Sequence, residues 1–306
     1  MNQIGKLKFR AMRVLLTLYT GGNYKNFKNL PLSPDTKSDV AIVISTFEKR
    51  FRTFALPLVD AIRCVSRVPI TIVINGNFGI TRDDDEYRNF LVKTQEYEGI
   101  SIVTFNSFRG WSSLLNAGIL HADARVSIVL NDDIFINPTK FKGEFEEIVG
   151  RARKFGILLL NNSWSHFVIT RDCLETVGFF DEFFLGIGEE DGDYAARFRK
   201  RFKKNVPEYT VESLVNFIDD SRDTLVAPIN GKYSLFNSVY LESRYEATKK
   251  PDLKISTPFE PGSLQSSYKW RNNLYPALAA QSAAEIKSMI EDNWYLQGQS
   301  ENEGVE

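Results

Sequence analysis

Over residues 39–130 the apolar positions come in short blocks separated by longer mixed segments. Val40-Ala-Ile-Val-Ile44, Pro69-Ile-Thr-Ile-Val-Ile74 and Ser127-Ile-Val-Leu130 are nearly unbroken apolar runs, the pattern of buried strands, and Ile100 to Phe105 predicts a further strand. Segments with helical spacing lie between them. Phe51 to Ser66 reads as a helix despite Pro57, and Asp83-Asp-Asp85 caps one running to about Tyr97. Trp111, Leu114, Leu115, Gly118, Ile119 and Ala122 line one face of a third. The two periods alternate, and the crossovers are long enough for parallel pairing, so the first half predicts an α/β domain on a doubly wound, mostly parallel sheet.

The second half is less regular. Phe141 to Lys154 predicts a helix, Gly156 to Leu160 and Ser165 to Thr170 predict strands, and Arg171 to Val177 predicts a short helix stopped by Gly178. Another helix runs from an acidic cluster near Glu189 to Phe202. Beyond Pro207 the pattern fades until a helical stretch, Ala277 to Asp292, near the end. The boundaries suggest an N-terminal extension (1–38), a main domain (39–230) and a C-terminal segment (231–306) with a helical tail.

Composition narrows the class. With 306 residues, 43% of them hydrophobic, the chain can bury a sizeable core. Thirty-eight basic against 39 acidic residues give a net charge of -1, and no overall field that would draw nucleic acid. Cys64 and Cys173 make neither a disulfide framework nor a zinc spacing, which fits a reducing cytoplasm. No run of about 18 apolar residues predicts a membrane-spanning helix. Ile4 to Tyr19, carrying Lys6, Lys8, Arg10 and Arg13, reads either as a packed helix or as a segment lying on an anionic membrane surface, peripheral to its inner face. Arg197, Arg199, Lys200, Arg201, Lys203 and Lys204 similarly read as a solvated helix face or as a contact for lipid headgroups.

Two acidic clusters carry candidate chemistry. Asn131-Asp132-Asp133 follow the fourth apolar run, and the carboxyl ends of central strands open onto the crevice where such sheets bind ligands. Neighbouring carboxylates repel each other unless a cation or a hydrogen-bond donor sits between them, and Mg2+ or Mn2+ binds one or two carboxylates together with substrate phosphates. A metal-bridged diphosphate is one reading; an ordinary turn before Asn137-Pro138 is the other. The second cluster is Glu189, Glu190, Asp191 and Asp193. A helix start favours one or two acids by about 0.3–1 kcal/mol each. Gly186 and Gly188 add backbone freedom suited to a loop that closes on a ligand, where a carboxylate beside a hydroxyl acts as general base. No G-x-G-x-x-G or Walker sequence is present.

The succession Val40-Ala-Ile-Val-Ile-Ser-Thr-Phe47, Asn116-Ala-Gly118, Leu130-Asn-Asp-Asp133, Val177-Gly-Phe-Phe-Asp-Glu182 and Glu190-Asp191 resembles the family-2 glycosyltransferases of GT-A fold, over Asp39 to Phe202. The resemblance implies inverting transfer of a sugar from a nucleoside diphosphate sugar (UDP-, GDP- or dTDP-linked) to a hydroxyl on a surface polysaccharide, lipopolysaccharide, capsule or lipid-linked glycan. Ser45, Thr46 and Phe47 would border the nucleotide, with Glu48, Asn75 and Asn116 nearby. Asn131-Asp132-Asp133 would take the D-x-D place, Asp132 near the nucleotide and Asp133 as ligand of Mn2+ or Mg2+. Asp191 would deprotonate the acceptor and Glu190 would support it. The less regular half and the C-terminal segment would bind the acceptor.

This chain departs from that pattern at three points. Asn131 replaces the first aspartate, Asn75 and Asn77 stand where an acidic pair is common, and Glu48 replaces a common Asn. Beside these, Arg109 suits a diphosphate through its planar fork, His166 suits the acceptor or metal, and Trp164 suits a sugar ring; each also reads as packing or surface. His121 reads as structural. The rival readings are a nucleotidyltransferase, which calls for a glycine-rich phosphate loop that Ser45 to Arg50 lacks, and a non-catalytic glycan-binding protein of the same fold.

Overall fold

A computed structural model of the chain describes residues 39–47, 50–75, 99–105, 109–182, 184–216, 237–238 and 240–241. Its strands are β1 (Val40–Phe47), β2 (Ile70–Asn75), β3 (Ile100–Thr104), β4 (Val126–Asn131), β5 (Ile134–Ile136), β6 (Ile157–Leu160), β7 (Ser163–Thr170), β8 (Glu208–Tyr209) and β9 (Leu214–Asn216). Its α-helices are α1 (Leu56–Arg63), α2 (Trp111–Ala122), α3 (Pro138–Phe155), α4 (Arg171–Val177) and α5 (Glu190–Phe202). The segments Ile4 to Tyr19, Asp83 to Tyr97 and Ala277 to Asp292 lie outside the described residues. No helix among those described is long and apolar enough to cross a membrane.

The described residues fall into two compact units. One comprises those within Met1–Thr104, Gly118–Arg171 and Pro207–Ile218; the other, those within Phe105–Ala117, Asp172–Val206 and Asp219–Glu306.

The first unit holds a seven-stranded sheet in the order β3-β2-β1-β4-β7-β6-β8, with β5 and β9 paired separately. β3, β2, β1 and β4 run parallel, while β7 is antiparallel to both β4 and β6. From β1 the chain winds outward to β2 and β3 on one side and to β4 on the other, which puts the topological switch point between β1 and β4. On one face Ile42, Ile44, Ile70, Ile72, Ile128, Leu130 and Val168 join Leu58 and Ile62 of α1 and Phe141, Ile148 and Ala152 of α3 in one core. Each of the larger side chains among these stabilises the fold by about 1.5–3 kcal/mol. On the other face Gly118 of α2 lies directly on Val43 and Val73, where an added Cβ would overlap Val43 Cγ1 and approach Val73 Cγ2 to 2.8 Å.

Three local differences from the sequence pattern have physical causes. β1 does not stop at Ile44: Ser45, Thr46 and Phe47 continue the ladder opposite Val73, Ile74 and Asn75, so their backbone groups are satisfied although two side chains are polar. The expected single helix from Phe51 begins as a π-helical turn, Phe51–Ala55, closed by Leu56 N–H donating to Phe51 O. Pro57 lies at its junction with α1, where a proline ring clashes with a carbonyl four residues back, and the wider turn makes room. Asn137-Pro138 is a helix start: Asn137 Oδ1 accepts from Lys140 N–H at 3.1 Å and Pro138 occupies the first position of α3. The pairing of Ile134–Ile136 with Leu214–Asn216 has no signature in either short segment alone.

Candidate functional site

At the switch point the parallel register sets Ser45 beside Asn131 and Phe47 beside Asn75, so the ends of β1, β2 and β4 carry most of the predicted nucleotide-side residues. Thr46 is buried, and its hydroxyl donates to Asp132 Oδ2 at 2.6 Å. Just past β1, Arg50 turns back over the strand ends. Its Nη2 lies 2.6 Å from Asp132 Oδ1 and 2.9 Å from Asp133 Oδ2. All three side chains are almost fully buried, and the guanidinium also rests over the Phe54 ring, 4.8 Å from its centroid. Burying two carboxylates side by side is strongly unfavourable without such a cation.

Arg50 was not singled out by sequence pattern. A basic pair after an apolar strand is common, and only the fold brings it to the end of β4.

The donor set suits a hard divalent ion. Asp132 and Asp133 offer carboxylate oxygens, and Asn131 Oδ1 is a buried oxygen without a hydrogen-bond partner. Among the described residues no three His, Cys, Asp or Glu side chains group as a metal site, so such an ion would draw further ligands from water and a bound phosphate.

His166 stands on β7 opposite Leu130 of β4. It is buried, neither ring nitrogen is hydrogen-bonded, and burial pushes its pKa down to about 4, so the imidazole is neutral at pH 7. Trp164 is half-buried, packed edge-on against Phe167 at 5.5 Å between centroids, the packing role expected of an aromatic by default. Glu48 lies outside the described residues.

The second unit contains the loop from Gly178 to Glu189 and helix α5. Gly178 ends α4 in a left-handed conformation (φ 97°), its N–H donating to Leu174 O at 2.8 Å, as its position after the short helix predicts. The loop is then held by buried side chains. Asn116 Nδ2 donates to Phe180 O at 2.8 Å and to Glu182 Oε1 at 2.9 Å, while its Oδ1 accepts from Phe180 N–H at 3.1 Å. Ser113 donates to Glu182 Oε2 at 2.8 Å, and Tyr240 to Asp181 Oδ2 at 2.6 Å. Asn237 binds both backbone groups of Leu185 and the Gly188 carbonyl, each at 2.8 Å. Asn116, expected near the substrate, is fully buried, and its amide is occupied in fixing the loop. Arg109 is half-buried ahead of α2.

The acidic cluster separates into distinct roles. Asp193 pairs with Arg197 at 2.7 Å, both buried, and Arg197 also donates to Val177 O at 3.0 Å. Glu189 accepts from Ser238 at 3.1 Å and takes a left-handed φ of 73°, uncommon for a residue with a side chain. Gly188, at φ 123°, has a conformation L side chains rarely adopt, so the freedom inferred for this loop is used at that residue. Its N–H donates to Glu190 Oε2 at 2.6 Å. Glu190 is buried, and burial first, then the nearby Asp191 charge, raises its carboxyl pKa to about 8. Asp191 stays half-buried and accepts from Gly192 N–H at 2.8 Å. Of the two neighbours Glu190 is buried and Asp191 is not, a difference that two adjacent acids in a sequence do not display.

No family model matches the sequence, and no curated protein does. Solved structures do align with it. The mannosyltransferase PcManGT from Pyrobaculum calidifontis, in complex with GDP-Man and Mn2+, aligns at 13% identity over 93% of this chain and 89% of its own, with TM-score 0.48. S. aureus TarS 1-349 aligns at 11% identity over 83% and 78%, TM-score 0.47. GalNAc-T7 with UDP, GalNAc and Mn2+ aligns at 9% identity over 94% of this chain and 66% of its own, TM-score 0.50. The α/β fold with its mostly parallel sheet is the GT-A fold.

Proposed function

We propose that this protein is a glycosyltransferase that moves a sugar from a nucleoside diphosphate sugar to the hydroxyl of an acceptor. The observation that carries the reading is the switch point of the sheet, where Thr46, Arg50, Asp132 and Asp133 are buried together at the carboxyl ends of β1 and β4. A departing nucleoside diphosphate gathers negative charge, and Mn2+ or Mg2+ bound at Asp133, beside Asp132, would neutralise it. Ser45, Thr46, Phe47 and Asn75 would border the base and ribose.

The acceptor hydroxyl has a pKa far above 7 and needs a base. We assign that task to Asp191, with Glu190 beside it; direct displacement by the hydroxyl inverts the anomeric carbon. A UDP-, GDP- or dTDP-linked donor and a glycan or lipid-linked acceptor of a surface polysaccharide complete the reading, in the cytoplasm or at the inner face of a membrane.

The test is a screen of nucleotide sugars by thermal unfolding with and without Mn2+. A ligand at about 100 times its Kd adds about 2.7 kcal/mol to the folded state, so a true donor raises the melting temperature in Mn2+. With that donor, Asp133→Ala is expected to lose both the stabilisation and the transfer, and Asp191→Asn to lose transfer alone. Normal turnover by both variants overturns the assignment.

A further inference from the structure

The cation between Asp132 and Asp133 is a side chain. A single nitrogen, Arg50 Nη2, meets one oxygen of each carboxylate, at 2.6 and 2.9 Å, which is the bridging position a divalent ion would take. Nitrogen and ion cannot both hold it: metal–oxygen contacts of about 2.0–2.2 Å would bring two positive centres nearly together. The guanidinium is also well seated, being 3% exposed and stacked over Phe54. Thr46 binds the other oxygen of Asp132 at 2.6 Å and keeps that carboxylate turned toward the strand end whether or not Arg50 is there.

We propose that Arg50 is a resident cation that closes the metal position and must leave it before a divalent ion enters. The inference rests on the proposed role of Asp132 and Asp133 and adds to it a cost on binding the ion alone. Incoming diphosphate lowers that cost, because its oxygens offer the displaced guanidinium a bidentate partner of the same charge as the carboxylates it gives up. Ion and nucleotide should therefore bind cooperatively, and the ion by itself weakly. Arg50 is a positioning residue here: it governs the access of another group to the crevice.

The experiment is a Mn2+ titration of the full chain without nucleotide, followed by the electron paramagnetic resonance of the free aqua ion. Arg50→Met is expected to bind Mn2+ at least tenfold more tightly than the native chain, and Mn2+ should raise its melting temperature more. Arg50→Lys keeps a positive charge but loses the planar fork, so its affinity should fall between the two; it also decides the matter if Arg50→Met fails to fold. Affinities of Arg50→Lys and of folded Arg50→Met no higher than the native value overturn the proposal. Asp133→Asn separates this outcome from failure of the functional reading. If Asp133→Asn loses Mn2+ while the Arg50 variants do not gain it, only the role of Arg50 falls. If Asp133→Asn keeps native Mn2+ affinity, the metal position itself is wrong.

Discussion

Gly118→Ala probes the packing that supports the site. The new Cβ would overlap Val43 Cγ1 and stand 2.8 Å from Val73 Cγ2, about 1 Å inside the ordinary carbon–carbon separation of roughly 3.5–4.0 Å. Valine is stiff at χ1, and both residues are fully buried in the central strands β1 and β2, so neither can rotate away. Overpacking of this kind costs about 1–3 kcal/mol, and two rigid contacts put it near the upper end. Alanine recovers about 1 kcal/mol through helix propensity in α2. The net expectation is a loss of about 2 kcal/mol, or a melting temperature lower by about 4 °C in a chain of this size. Thermal and urea unfolding measure it. Val43→Ala removes the nearer of the two clashing methyls, so the double variant should be more stable than the sum of the single effects by about 0.5–3 kcal/mol. A Gly118→Ala protein as stable as the native one, or more stable, refutes the packing argument.

Other outcomes follow from the site. Glu190 keeps its proton in the folded state up to about pH 8, whereas the unfolded carboxyl loses it near 4.5. The stability this provides is fully present below pH 4.5 and lost as pH rises through 8, a change on the order of 5 kcal/mol at about 1.4 kcal/mol per pH unit. Glu190→Gln should flatten that slope in urea unfolding from pH 5 to 9, and an unchanged slope would mean that Glu190 is ionised at neutral pH. Asn116→Ala strips bonds from Phe180 and Glu182 and should cost about 3 kcal/mol, read by the same unfolding; a loss below about 1 kcal/mol would show that the loop is held without it. In the transfer assay Asp133→Ala and Asp191→Asn each bring turnover to background, and Mn2+ should stabilise native protein more in the presence of donor than alone.

Much of the fold is legible in the residues. The runs at Val40, Ile70 and Val126 are apolar at nearly every position, the pattern of strands covered on both faces, as β1, β2 and β4 are; together with the strand at Ile100 they alternate with helical spacing, which already implied a wound sheet. Gly178 stopped a helix because the next φ had to be positive, and the polar residues after the fourth apolar run marked the carboxyl end of β4. What the sequence could not state were partnerships made by residues far apart along the chain. Ile134–Ile136 became a strand because Leu214–Asn216 came alongside it. Asn116 turned inward because Phe180 and Glu182 needed an amide, and Glu190 diverged from Asp191 because one was buried and the other was not. Arg50 reached Asp132 and Asp133 through the parallel pairing of β1 with β4. Periodicity records which face of an element is covered, since that depends on neighbours three or four residues away. Charge pairing and desolvation depend on what covers it, and only the folded chain decides that.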